Sequence, residues 1–317
     1  MNAPSTEWRE TISPDEPARF ARQAERLRAA HAAKNARYGK GRFLHRREII
    51  GAAGTFEVFA DLPEHAAHGL FRVPASYRAV VRLSKGSMDI ESNSKPDIRG
   101  FAIRVTGLSG PGALGGTTDH QDFLLINHDV FGARDSDEFV DIACHAAKGQ
   151  LALLWHLLRA YGPAVAFQKL KALATTLGKP FAGYAAERFS TALPHRNGPY
   201  AVKLILTPQH PSPSTTGADY AADIRDRIAR GPLVYDVSLQ FFTDAATTPI
   251  EDNLTVWSEA RSPLLRVGRL SISEADIPVD DLAFDPWGGL EDHRPLGEVM
   301  RARKSAYHLS ASARRPG

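Results

Sequence analysis

The apolar residues change their spacing several times along the chain, and each change marks an expected element. From Ser13 to Gly39, "SPDEPARFARQAERLRAAHAAKNARYGKG" repeats small apolar residues at helical intervals, with Pro14 in the first turn and Gly39 at the end. Most of those positions are alanine, so the helix is expected to lie as an arm on another surface. From Gly41 to about Leu125 the text turns to short runs: "REIIGAAGTFEVFADL", "YRAVVRLSKG", "RGFAIRVTGL" and "QDFLLIN". Gly, Pro and Ser clusters separate them, which predicts an antiparallel sheet or barrel. Residues 135–191 read as helical, and strands are predicted again at "PYAVKLILTPQ", "LVYDVSLQFFTD" and "LLRVGRLSISEADIP". A turn-rich connector, "FDPWGGLEDHRPLG", leads into a last helix. This order predicts an α+β fold built around one barrel.

Composition narrows the function more than the fold. With 43% hydrophobic and 24% charged residues, the 317-residue chain is of the soluble globular type. A net charge of +3, spread along the sequence, does not favour a nucleic-acid partner. The one cysteine, Cys144, sits in an apolar run and is expected to be a buried, inert thiol. No apolar span reaches transmembrane length and no signal peptide is apparent, so the expected location is cytoplasmic.

Several familiar motifs fail on context. "GPGALGG" matches GxGxxG at Gly110, Gly112 and Gly115, but "TTDHQDF" follows instead of a helix start. Ser92 and Lys95 form an SxxK without its companion motifs. His65 and His68 in "EHAAH" have helical spacing but no marked third metal ligand.

Four segments carry candidate chemistry. Arg303, Tyr307 and Arg314 share one face of the last helix. Holding a phenol ionised at neutral pH needs about 4 kcal/mol, which a neighbouring guanidinium and a trivalent metal together supply. A phenolate of this kind is an axial ligand for ferric haem. In "GKGRFLHRRE", Arg42 stands three residues before His45, on opposite faces if the segment is a strand. Histidine is the usual proton shuttle at neutral pH. Asn127 follows four apolar residues in "DFLLINHDVFGARD", where its amide is placed to donate to a bound peroxide, with Phe131 nearby to stack on a flat ring. Arg82 and Ser84 lie on one side of a strand, with Ser84 able to accept from the histidine and Arg82 to pair with a carboxylate. Each has an ordinary reading when taken alone: a surface helix, a solvated basic stretch, an amide closing a turn, a core aromatic.

Taken together and in order, these segments resemble the haem-catalase family. Arg42 and His45 match its R-x-x-H segment, and Arg82, Leu83 and Ser84 match its R-F-S-T strand in part. "DIRGFAIR", Asn127 in "INHDVFGARD", "VWSEARSPLLRVGRLSI" and "LAFDPW" are similar to further family segments, and Arg303 and Tyr307 fit its R-x-x-x-Y proximal helix. The resemblance covers roughly residues 38–314. It implies a closed antiparallel barrel with a helical insertion at 135–191 and a proximal haem-ligand helix at 296–315. The N-terminal arm (1–37) precedes this haem-binding domain (38–317). It also implies haem b as cofactor, with Tyr307 on the iron and Arg42, Arg82 and Arg314 around the propionates and phenolate. His45 and Asn127 then cleave the peroxide O–O bond by way of a ferryl haem.

The connector "PWGGLEDHRPLGEVMRAR" is most like that of the small catalase-related peroxidases, which implies an open haem pocket, a peroxide substrate and a separate electron donor. Lys85 replaces the family's threonine, leaving Ser84 as the support for His45. Leu44 before His45 is apolar as in catalases, whereas allene oxide synthases carry a hydroxyl there. A fatty-acid hydroperoxide isomerase or dehydratase, or a haem-binding protein without activity, are the alternatives. The amphipathic arm suggests a homodimer.

Overall fold

Strands that alternate in part and elsewhere run continuously buried build the sheet of the computed structural model, which describes residues 4–304. Strands β1 (Glu48–Val58), β2 (Ala75–Lys85), β3 (Arg99–Pro111) and β4 (Thr117–Ile126) form an antiparallel meander. Two helices follow, α2 (Ser136–Lys148) and α3 (Gln150–Leu177), after α1 (Glu16–Tyr38) at the start of the chain. The chain then returns through β5 (Phe189–Ser190), β6 (His195–Asn197), β7 (Tyr200–Pro208), α4 (Tyr220–Arg230), β8 (Leu233–Phe241) and β9 (Leu264–Ala275). Pairing of β1 with β9 and of β5 with both β4 and β7 closes eight strands into an antiparallel barrel, with β6 outside the ring.

The barrel interior is packed with apolar side chains. Ile50, Phe56, Val81, Leu83, Phe101, Ile103, Phe123, Leu125, Leu204 and Tyr235 are all buried in one cluster. Tyr220 and Ile224 of α4 join that core.

Three local readings differ from expectation. Helix α1 starts at Glu16 and not near Ser13, because the Glu16 carboxylate folds back to accept from the Ser13 amide (3.3 Å) while residues 14–15 make a turn. The helical stretch stops at Leu177. Gly178 and Pro180 end it, and Tyr184 and Phe189 are drawn into the barrel core instead. Helix α4 is not among the expected elements, although "YAADIRDRIAR" carries Tyr220, Ile224 and Ile228 at helical spacing and Asp219 caps its start. Within α3, Gly162 adopts φ 73°, a left-handed conformation that precedes Pro163 and breaks the helix in two.

Helix α1 lies on α2, and there it contributes to a core of its own rather than only resting on a surface. Leu27, Phe43, Met88, Val140, Ala143 and Cys144 form a second core between them. Burial raises the Cys144 thiol pKa, in keeping with an inert core residue. Residues 298–304 begin a helix anchored from several sides. Arg301 binds Glu10 and Glu16 (both 2.7 Å), and Glu298 accepts from the Ser136 amide (2.9 Å).

Candidate active site

The site grows from the irregular segment 41–47, which is not a strand, so Arg42 and His45 are not opposite faces of one. His45 sits at φ 51°, a strained backbone for a side-chain-bearing residue, and its amide donates to the Gly86 carbonyl at 3.0 Å. Helix α1 holds this segment in place. The His31 imidazole donates to the Gly41 carbonyl (2.7 Å), and the Arg46 guanidinium binds Asn35 (3.0 Å) and the Gly39 carbonyl.

His45 Nδ1 meets Ser84 Oγ at 3.1 Å, which leaves Nε2 to act outward. The ring can lie there because Gly100 on β3 has no side chain. A Cβ at that position would clash with His45 Nδ1 and stand 2.6 Å from Ser84 Oγ. Burial, followed by the charges of Arg82, Arg303 and Arg42, pushes the His45 pKa down to about 3. The imidazole is therefore neutral throughout the physiological range and available as a base.

Arg82 is buried with Ser84 on the outer face of β2. It donates to Glu48 (3.1 Å) and to the His45 carbonyl (3.0 Å), so it stiffens the histidine segment from below. Burial first, then Arg42, lowers its pKa to about 10, which still leaves it charged at neutral pH. Burial raises the Glu48 carboxyl in turn. Arg42 donates to the carbonyls of Leu282 (2.7 Å) and Val279 (3.4 Å) and pairs with Asp280 at 3.5 Å. Lys85 points to the other side of the strand, with Nζ on the Ser92 carbonyl at 2.8 Å, so Ser84 supports His45 without it.

Asn127 directly follows β4, two strands from Ser84. Its Oδ1 accepts from the Arg99 amide at 2.8 Å, while its buried Nδ2 has no partner. A buried donor left unpaired costs about 1–3 kcal/mol, so such a group points to a ligand or to function. Gly100, which receives His45, pairs across the ladder with Ile126, the residue before Asn127. The imidazole and the orphan amide thus share one end of the barrel wall.

Arg303 lies over the Phe131 ring (4.9 Å) and contacts Met300 Sδ (3.6 Å). Phe131 is packed against Phe139 and beside Leu193, Val299 and Met300. Arg303 is close enough to depress the pKa values of both His45 and His195. Tyr307 and Arg314 lie outside the described residues. The structure thus joins His45 to Ser84 and Arg82, with Arg42 on the same segment, while Asn127 is bonded to Arg99 and Arg303 stacks on Phe131.

Glu48, Gly100 and His195 escaped the sequence reading. His195 is buried, donates Nδ1 to the Leu193 carbonyl at 3.2 Å and has an unpartnered Nε2. Its burial lowers the pKa to about 4. Only the glycine of "DIRGF" offered a signal, as a strand residue that invites close approach.

This barrel with its external site is the catalase fold. The chain superposes on a fungal catalase with a TM-score of 0.69 and 20% identity, covering 86% of this chain and 59% of that one. Catalase A from Saccharomyces cerevisiae gives 0.68 and 20%, covering 89% and 63%. A bacterial catalase gives 0.67 and 17%, covering 99% and 63%. The chain therefore spans about three-fifths of the length of these catalases. No family model and no curated protein matches the sequence. Among the described residues, no helix is long and apolar enough to cross a membrane.

Proposed function

We propose that this chain is a haem-dependent enzyme that reduces H2O2 or organic hydroperoxides at the expense of an electron donor. The observation that supports this reading is His45, fixed by Ser84 and seated against Gly100, together with the unpartnered Asn127 amide just past the end of β4. The residues present suit haem b: a donor awaiting a ligand, a histidine seated over a glycine, and a cluster of cationic side chains for carboxylates. In this reading Tyr307 would hold the iron, Arg303, four residues earlier in the sequence, would favour its phenolate form, Phe131 would lie beside the ring, and Arg42, Arg82 and Arg314 would set the charge around the propionates and phenolate. When bound, haem would supply the redox chemistry that the side chains of this chain lack.

The chain's own contribution is proton handling. Ser84 accepts from His45 Nδ1, which leaves the Nε2 lone pair free as general base. Nε2 takes the proton from one peroxide oxygen and returns it to the other, which departs as water or an alcohol. Asn127 Nδ2 donates to the peroxide and holds it for that transfer. The overall change consumes one hydroperoxide, two electrons and two protons and yields an alcohol and water, or two waters from H2O2. Glu48, through Arg82, keeps the His45 backbone in register.

The absorption spectrum of the purified holoprotein tests this first. A ferric tyrosinate-type haem signal is expected in wild type and is lost or altered in Tyr307→Phe. An unchanged spectrum in that variant overturns the ligand assignment. Donor oxidation by hydroperoxide is the expected activity. Conversion of a lipid hydroperoxide without donor points to an isomerase instead, and activity no greater than free haem in every assay points to a binding protein.

A further inference from the structure

Outside the barrel-wall site, Asp141 and His145 on α2 face His156 on α3. One ligating atom from each residue falls within a group less than 4.8 Å across. We propose that this triad is a divalent transition-metal site of the zinc type, clamping α3 against α2. The site is independent of any haem and makes no use of His45.

The two imidazoles are stacked, with ring centres 3.9 Å apart and planes within 13°. Their tautomers suit ligation. His145 Nδ1 donates to the Asp141 carbonyl at 2.8 Å, which leaves its Nε2 lone pair free, as is usual for a metal-bound histidine held by a carbonyl. His156 Nε2 is buried without a hydrogen-bond partner and lies 3.7 Å from Asp141 Oδ2. The other carboxylate oxygen, Oδ1, is taken by Arg26 at 2.6 Å, so Asp141 is oriented with Oδ2 toward the imidazoles. Oriented carboxylate and imidazole donors of this kind fit Zn²⁺ at bonds of about 2.0–2.2 Å. Two ligands of one tetrahedral ion stand about 3.3 Å apart, so small side-chain rotations bring all three onto it. The fourth position is left to water.

Sequence spacing supplies half the site, since residues 141 and 145 are one helical turn apart. The fold supplies the rest. The turn at Gly149 (φ 119°) reverses the chain and sets α3 beside α2. His65 and His68 have comparable spacing, but their rings pack on Tyr200, and His65 also on Phe241.

The test is zinc titration of the full-length protein after chelator treatment, read by calorimetry and by melting temperature. Wild type is expected to bind one Zn²⁺ per chain and to melt higher with zinc. His156→Ala is expected to bind at least about tenfold more weakly and to lose the rise in melting temperature. His145→Ala serves as the second variant should His156→Ala fold poorly, with circular dichroism as the check on both. Cobalt in place of zinc should give visible ligand-field bands in wild type only. Equal zinc affinity in wild type and a folded variant, or no binding by wild type, overturns the proposal.

Discussion

Gly100 and Phe101 are neighbours on one strand and stand in opposite worlds. Phe101 points into a barrel where rings from Phe189 and Tyr235 meet it at 5.2 and 5.3 Å. Gly100 faces outward, and its missing side chain makes the seat for His45. The inner face is apolar and densely filled. The outer face at this end holds a backbone-strained histidine and the buried Arg82, and just past the end of β4 stands an amide with no partner. Stability is concentrated on one side of the wall, and unsatisfied chemistry on the other. The two sides remain tied, because the core phenol of Tyr184 donates to the Ser84 carbonyl at 2.9 Å.

Four measurements put that division under strain. His45→Ala should cut peroxide turnover by about 10²–10⁴-fold while haem content and melting temperature stay near wild type. Equal turnover would remove His45 from the mechanism. Phe101→Ala should do the reverse, costing about 3–5 kcal/mol in denaturant unfolding with little change in turnover per folded molecule. A matching loss of turnover in still-folded protein would show that core and site are not separable.

Acid should attack the folded state before it titrates the catalytic base. His195 and His293 are buried, and burial pushes both to about 4. His293 must stay neutral, since its Nε2 accepts from the Leu70 amide at 2.9 Å. Their folded pKa values lie below the ordinary 6.5, so the unfolded chain takes up protons first. Their stabilising contribution is complete above pH 6.5 and drains away as pH falls toward 4. Between pH 7 and 5 the pair should cost about 4 kcal/mol, measured by denaturant midpoints. Turnover of still-folded enzyme should hold over the same window, because the His45 pKa lies near 3. An acid limb near pH 6.5 without unfolding would contradict this. The smallest effect is expected from Gly100→Ala. Its methyl must push His45 or Ser84 aside, lowering turnover at least about tenfold for about 1–3 kcal/mol of stability. Wild-type turnover there would mean that the seat is not needed.

Alternation along β1–β4 and β7–β9 is plain in the text, and so is the helix from Glu16 to Tyr38. Ser84 could be assigned to His45 from strand parity and family resemblance. Glu48 and Gly100 could not, because their roles depend on which backbone passes within contact of which side chain. The same holds for Asn35 and Arg46, whose grip on the His45 segment comes from α1 packing against α2. Helix α4 and the helix end at Leu177 were missed although both leave local marks, an amphipathic repeat after Asp219 and the Gly178–Pro180 break.

What the sequence determined by itself was local: period, breaks, and the order of the residues able to do chemistry. Those follow from the repeat of the backbone and the chemistry of each side chain, which act within a few residues. Tertiary structure decided which donors were left unpaired, how far burial moved each histidine, and that Asp141 and His145 would meet His156. Desolvation and approach are sums over distant parts of the chain, so they exist only once the barrel has closed.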